Sequence, residues 1–378
     1  MTATIILTSF IGCEKRDFGT SITCIKETNI IEDEFLSSVF SEYKIVGLET
    51  IDESMIGQEI EKIKKKDGLY FISCDRESLF VFNEQGEFLF RIKEKGAGPN
   101  EYISLQDFDV LPNGEILVLD MQKLIHYSAT GEFLKTIPLD INCWNIKIID
   151  EHHFLICASR AEYCLYLVDG EGCVLSEQLP KNNLSFLRRS LTFFPLGDNI
   201  LYQQDSSNDF VAFNPKTKNF ENVNLLCEDD HILDIQTVRQ HQKTNPTFMS
   251  ADYIEKTNLK VIMGISAYAD FLFFYVGKQS TGYKYYLMNT KNNEITNTLS
   301  ENAKDDIAFT STVFLLNRSI FSESEDCLLT YLWPYQIIEG LEKNAHLKEH
   351  PNYKRLQTLI ESIDDIEEKN PFLIELKK

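Results

Sequence analysis

Histidine and tryptophan are scarce in this chain, seven and two residues in 378. No histidine stands in a nucleophile or zinc motif, so a hydrolytic centre built on a Ser or Cys nucleophile with a His base has no support in the sequence. His152-His153, in the turn Asp150-Glu151-His152-His153, read as a solvated pair. The nine cysteines lack the short paired spacing of a zinc site, which excludes a metal cluster of that kind. Basic residues fall well behind acidic ones, 37 against 58, for a formal charge of −21. A field of that sign repels phosphate backbones and anionic lipid heads and argues against a nucleic-acid partner. The one dense basic run, Lys62, Lys64, Lys65 and Lys66, precedes Asp67-Gly68 and reads as a solvated turn.

What the chain does have is apolar content, 43% with 12% aromatic residues, enough for a large core. It also has a repeat. Leu79-Phe80-Val81-Phe82-Asn83-Glu84-Gln85-Gly86-Glu87-Phe88-Leu89 returns forty-five residues later as Leu124-Ile125-His126-Tyr127-Ser128-Ala129-Thr130-Gly131-Glu132-Phe133-Leu134. Each copy is a strand, a polar turn closed by Gly and a returning strand, and short β runs at such a period mark a propeller. Asp169-Gly170-Glu171-Gly172 and Asn214-Pro215 continue the rhythm. The expected fold is all-β: a six-bladed β-propeller of four-stranded antiparallel blades over residues 43–378, with helical insertions near 228–258 and 335–368. The first blade is expected to begin near Tyr43, and the runs at 313–316 and 319–321 read as strands of the sixth. The final run, Phe372-Leu373-Ile374-Glu375-Leu376, follows a helical stretch and is placed to close the ring by pairing with an incomplete blade.

Residues 3–13 form a short uncharged apolar run that ends Gly12-Cys13 and turns polar at Glu14-Lys15. The run is too short to span a bilayer. It reads as a lipoprotein-type signal segment, residues 1–13, with Cys13 as the acylated residue; the alternative is a first buried strand. Residues 14–42 then act as tether and first edge. Export places the remaining cysteines in an oxidising compartment. Cys157 and Cys164 flank a tight polar turn and either face each other across it or remain free buried thiols.

Between the first two blades stands Gly96-Ala97-Gly98-Pro99-Asn100-Glu101-Tyr102, followed by Asp107-Phe108-Asp109-Val110, and the chain ends Lys369-Asn370-Pro371-Phe372-Leu373. With these motifs the chain resembles the six-bladed β-propeller lipoproteins of Bacteroidota, distantly similar to NHL-repeat propellers. Asn100 stands where that family commonly has Gly. The resemblance implies an exported, lipid-anchored propeller, on the outer membrane and facing periplasm or surface. From the residues themselves, Gly96, Gly98 and Pro99 make a tight blade crossing rather than a phosphate cradle, since Pro99 has no N–H to offer, and Glu101 and Tyr102 fix it by hydrogen bonds. Asp107, Asp109 and Asp120 are candidate channel carboxylates that could hold Ca²⁺, and Trp144 and Trp333 are candidate stacking residues for a flat ligand. The expected role is a binding or interaction module of the cell envelope, a monomer whose partner is an envelope protein or a glycan or peptide. The rival reading is a hydrolase or lyase that uses the channel carboxylates, with or without Ca²⁺, on a sugar or lactone.

Overall fold

The computed structural model describes residues 32–158, 161–180, 193–203, 209–224, 261–278, 282–292 and 294–378. The expected signal with Cys13, the tether up to residue 31 and the helical insertion at 228–258 lie outside the described residues. The strands fall into six sheets arranged as the blades of a propeller. Blade 1 is Ile60–Lys66, Leu69–Cys74, Ser78–Asn83 and Phe88–Ile92; blade 2 is Asp107–Val110, Ile116–Asp120, Lys123–Tyr127 and Phe133–Pro138. Blade 3 runs Cys143–Asp150, His153–Ala158, Tyr163–Asp169 and Val174–Pro180. Blade 4 follows with Phe193–Leu196, Asn199–Gln203, Asp209–Asn214 and Asn219–Asn224, then blade 5 with Val261–Tyr268, Phe271–Lys278, Gly282–Asn289 and Glu294–Lys304. Within each of these blades, strands adjacent in sequence pair antiparallel.

Blade 6 joins the two halves of the chain. Leu328–Leu332 pairs with Phe372–Lys377, which pairs on its other side with Glu42–Gly47. The strand expected to open the first blade therefore closes the last one, and this hides an edge that would otherwise template association. Glu32–Phe35 adds to blade 5 as a parallel fifth strand beside Glu294–Lys304. Two expected strands of the sixth blade prove helical: Thr312–Asn317 is an α-helix and Ser319–Phe321 a 3₁₀ turn. Leu315 and Leu316 are buried while Phe314 is exposed, so this segment packs one helical stripe and a strand would have buried alternate residues. The expected helical region holds two α-helices, Pro334–Lys343 and Pro351–Glu361.

Six hydrophobic clusters sit between neighbouring blades, and single strands feed two of them. Tyr70, Ile72, Phe80 and Phe82 face blade 6, whereas Phe71, Leu79 and Val81 face blade 2. Successive side chains alternate sides, so a strand buried on both faces reads as one continuous apolar run.

The repeat records what the turn between third and fourth strands requires. Its first residue carries a side-chain oxygen that accepts backbone N–H groups two and four residues on: Asn83 from Gln85 and Glu87, Ser128 from Thr130 and Glu132, Asp169 from Glu171 and Cys173. The turn glycine serves both backbone and packing. Gly86 has φ +86° and a Cβ there would stand 2.1 Å from the Gly47 carbonyl of blade 6, while Gly172, also at φ +86°, would meet the Pro138 carbonyl of blade 2 at 2.2 Å. Each of these turns thus seats on the end of the preceding blade's outer strand. Gly86→Ala is expected to cost about 2–4 kcal/mol, backbone strain plus overpacking. Gly197→Ala, at φ +57° with nothing within 4 Å, should lose only the backbone part, about 1–2 kcal/mol. Urea unfolding midpoints check the difference, and equal losses would refute the packing role.

Candidate functional site

The first strand of blade 2 lies at the inner edge of its sheet, with no further strand paired on its central side. In Asp107–Val110 the aspartates fill that gap. Asp107 accepts the N–H of Phe108 and of Ile146 on blade 3, and Asp109 accepts those of Val110 and Ile148, at 2.7–3.0 Å. Each carboxylate also takes a lysine from the other side. Lys62 Nζ donates to Asp107 Oδ1 at 2.9 Å and to the Phe108 carbonyl at 2.7 Å, and Lys64 Nζ pairs with Asp109 and, at 3.0 Å, with Glu323. The run read as a solvated turn is therefore the inner strand of blade 1, with Lys62 and Lys64 buried. A lysine run at alternate positions of a strand points one set of ammonium groups to one side, and here the aspartates of the next blade meet them.

Glu323, on the short strand Ser322–Ser324 that pairs parallel with Ile60–Lys66, also accepts from Lys147 of blade 3. The Lys147–Glu323 pair thus ties the inner strand of blade 3 to the strand that flanks the inner strand of blade 1. Burial alone would lower the Lys64 ammonium, but Asp109 and Glu323 outweigh it and hold Lys64 above its usual range. Burial likewise opposes the charge of Glu323, yet Lys147, Lys64 and Lys62 keep it well below the usual carboxylate range, and against the same burial Lys64 and Lys147 lower Asp109. Among the described residues, no three His, Cys, Asp or Glu groups converge as a metal site.

The strands are antiparallel, so the connection between blades and the turn from second to third strand emerge at the same end of the channel. Asp120, buried at that end, accepts the N–H groups of Ile103 and Ser104 and so pins the incoming connection. The next residue, Met121, adopts φ +41° and its carbonyl accepts the Cys143 N–H, which seats Trp144. Ile103, Met121 and Trp144 are 68%, 43% and 53% exposed. These backbone bonds bring Trp144 to the same loop end as two exposed apolar residues, Ile103 and Met121, that the sequence did not single out. Trp333 is only partly buried, packs against the cluster between blades 6 and 1, and begins the Pro334–Lys343 helix.

The glycine-rich crossing is held from within. Glu101 accepts the Gly98 N–H at 2.7 Å, and a Cβ on Gly96 would lie 2.0 Å from its Oε2. Tyr102 donates to the carbonyls of Glu77 and Ile92, while Thr136 donates to that of Pro99. The register of blade 3 sets Cys157 opposite Leu165, one residue past Cys164.

Glu61, in a bulge of the innermost strand of blade 1, has both carboxylate oxygens buried and without a hydrogen bond of good geometry. Burial and then the neighbouring Glu59 and Asp75 raise its pKa to about 7, against the pull of the Arg76 backbone N–H.

Together these features define a six-bladed β-propeller whose inner strands are linked by ion pairs and whose loop end displays apolar side chains. The chain belongs to the family described as Domain of unknown function (DUF4934), whose sequence profile matches residues 23–377. No curated protein matches it. Among solved structures it is similar to a Bacteroides fragilis protein named "Putative exported protein", with 16% identity and a TM-score of 0.71 over 93% of this chain and all of that one. It is more distantly similar to a protein of unknown function from Bacteroides caccae (12% identity, TM-score 0.42, 64% of this chain and 81% of that). BamB from Moraxella catarrhalis stands at a like distance (11%, 0.41, 71% and 72%). At these identities the likeness concerns the fold. No helix among the described residues is long and apolar enough to cross a membrane.

Two substitutions test the electrostatics. Asp109→Ala leaves Lys64 with Glu323 alone and the Val110 and Ile148 N–H groups without their acceptor, and is expected to lower stability by about 3–5 kcal/mol at pH 7. Because the native pKa values of Asp109 and Glu323 are depressed, their contribution is present above the ordinary carboxylate range and is lost as pH falls below about 4. Urea unfolding from pH 7 to pH 3 should therefore show the variant and the native chain converging. Glu61 has the opposite sign. Its raised pKa makes the folded state progressively less favourable as pH rises from about 4.5 through 7, so Glu61→Gln should match the native chain at pH 4.5 and exceed it at pH 8. The gain should be on the order of 1 kcal/mol after solvent screening. A pH-independent difference would contradict the assignment.

Proposed function

We propose that the protein is an exported, lipid-anchored propeller that binds another protein of the cell envelope through the loop end of blades 2 and 3. The observation that carries this reading is the Ile103–Met121–Trp144 patch. Three large apolar side chains stand exposed, and each is tied to the same place by a backbone hydrogen bond or by its neighbour's. A left-handed Met121 is a backbone cost kept by its surroundings, and such residues cluster at functional sites. Isoleucine and methionine around a single tryptophan suit the apolar centre of a protein interface better than a glycan, which stacks on several aromatic rings. The lipid anchor rests on Gly12-Cys13 and the apolar run before it, and the outer-membrane address on the resemblance to the propeller lipoproteins of Bacteroidota. For the hydrolase or lyase reading the channel carboxylates would have to leave their lysines and backbone donors, and Asp107, Asp109 and Asp120 are all so engaged. The same engagement weighs against Ca²⁺ at these positions.

A photocrosslinking residue placed at Ile103 in cells of the source bacterium is the test. The expected result is one discrete adduct that disappears in Trp144→Ala, while the same probe at Leu175, exposed on an outer strand, gives none. Adducts that ignore Trp144, or that form equally at Leu175, would overturn the reading; a glycan that alters Trp144 fluorescence without any adduct would replace the protein partner with a sugar.

A further inference from the structure

We propose that Arg318, at the loop end of blade 6, is the anchor of a binding site for an organic carboxylate that carries a flat apolar group. The site is independent of the Ile103–Met121–Trp144 patch and lies on the connection from blade 5 to blade 6. The Arg318 guanidinium is stacked between two rings, 4.0 Å from the Phe314 centroid and 4.5 Å from that of Tyr331. Its Nη1 donates to the Tyr331 carbonyl at 3.1 Å and to Gln336 Oε1 at 2.8 Å. Gln336 is itself buried and fixed, accepting from the Trp333 N–H and donating to the Tyr335 hydroxyl. The cation is thus held rigidly through one nitrogen only.

What is left is the other edge. Among the described residues no carboxylate pairs with Arg318, although the chain has 58 acidic residues. Nε and Nη2 point their N–H groups in parallel, the fork that matches the two oxygens of a planar carboxylate. Burial draws the guanidinium somewhat below its usual range, against the Tyr331 and Tyr335 hydroxyls, and it stays a cation at any physiological pH. A half-buried cation without a counter-ion, oriented by a fixed glutamine and two rings, is a preorganised anion receptor. Phe314 and Tyr335, 39% and 55% exposed, supply apolar and aromatic surface beside it for the remainder of the ligand. A monoanion with one planar face is favoured over a phosphate dianion because the chain's net charge of −21 penalises the second charge.

The test is titration of the full chain with phenylacetate, followed by saturation-transfer NMR, with the neutral isostere phenylacetamide and the dianion phenylphosphonate in parallel. Phenylacetate should bind while phenylacetamide binds at least about tenfold more weakly. Arg318→Met keeps the ring contacts and should weaken phenylacetate about tenfold or more; Arg318→Lys keeps the charge without the fork and should weaken it about fivefold. Tyr335→Ala, at an exposed position, should weaken it without disturbing the fold, and Trp144→Ala should leave it unchanged. Equal binding of acid and amide, tighter binding of phenylphosphonate, or undiminished binding by Arg318→Met would each overturn the proposal. Should Arg318→Met not fold, the acid–amide comparison on the native chain and Tyr335→Ala still decide. Loss of the crosslink at Ile103 would leave this site untouched.

Discussion

The centre of a propeller is where six sheet edges meet, and the backbone donors on those inner edges need partners from outside their own blade. Two aspartates resolve this for blades 2 and 3. Asp107 and Asp109 accept the N–H of the residue after them, reach the inner strand of blade 3, and hold the lysines of blade 1. A buried carboxylate is tolerable only when its lone pairs are filled, and these are filled by two backbone donors and a cation each. Blade 6 solves the same problem in another way, by letting Ser322–Ser324 pair directly with the inner strand of blade 1.

From that arrangement follows the division of the molecule. The charged side chains of the inner strands pair with one another, Lys62 with Asp107, Lys64 with Asp109 and Glu323, and Lys147 with Glu323, so they serve the ring. The proposed recognition falls to the loop end, where connections can vary over a stiff scaffold. That end carries exposed Ile103, Met121 and Trp144 over blades 2 and 3 and, beside blade 6, Arg318 without a counter-ion among the described residues. The ring itself is fastened by Glu42–Gly47, which makes closure depend on a pairing between opposite ends of the described chain.

The six-bladed fold was legible because blade strands buried on both faces make apolar runs, and because turns such as Asn83–Gly86 need the same oxygen and the same glycine each time. Blade 2 reads almost strand for strand. Residues 313–316 and 319–321 misread as strands because a short apolar run carries no period that separates a buried helix from a strand. The site was legible in part. Asp107, Asp109, Asp120 and Trp144 stood out as residue types, but their roles depend on neighbours remote in sequence. Lys62 and Lys64 looked like a solvated turn, although a usable signal was present: each lies forty-five residues before its aspartate, one period of the repeat, so equivalent positions of adjacent blades carry opposite charge. Arg318 gave no signal, since the absence of a counter-ion is a property of the folded chain alone.

Amide hydrogen exchange at Ile146 and Ile148 tests most directly whether the carboxylates act as the missing inner strand. Both amides should be strongly protected in the native chain. Asp107→Ala should accelerate exchange at Ile146, and Asp109→Ala at Ile148, beyond any global loss of stability read from core amides such as Ile156. Protection at Ile146 and Ile148 that falls only in step with Ile156 would contradict the account and leave the aspartates as no more than partners for their lysines.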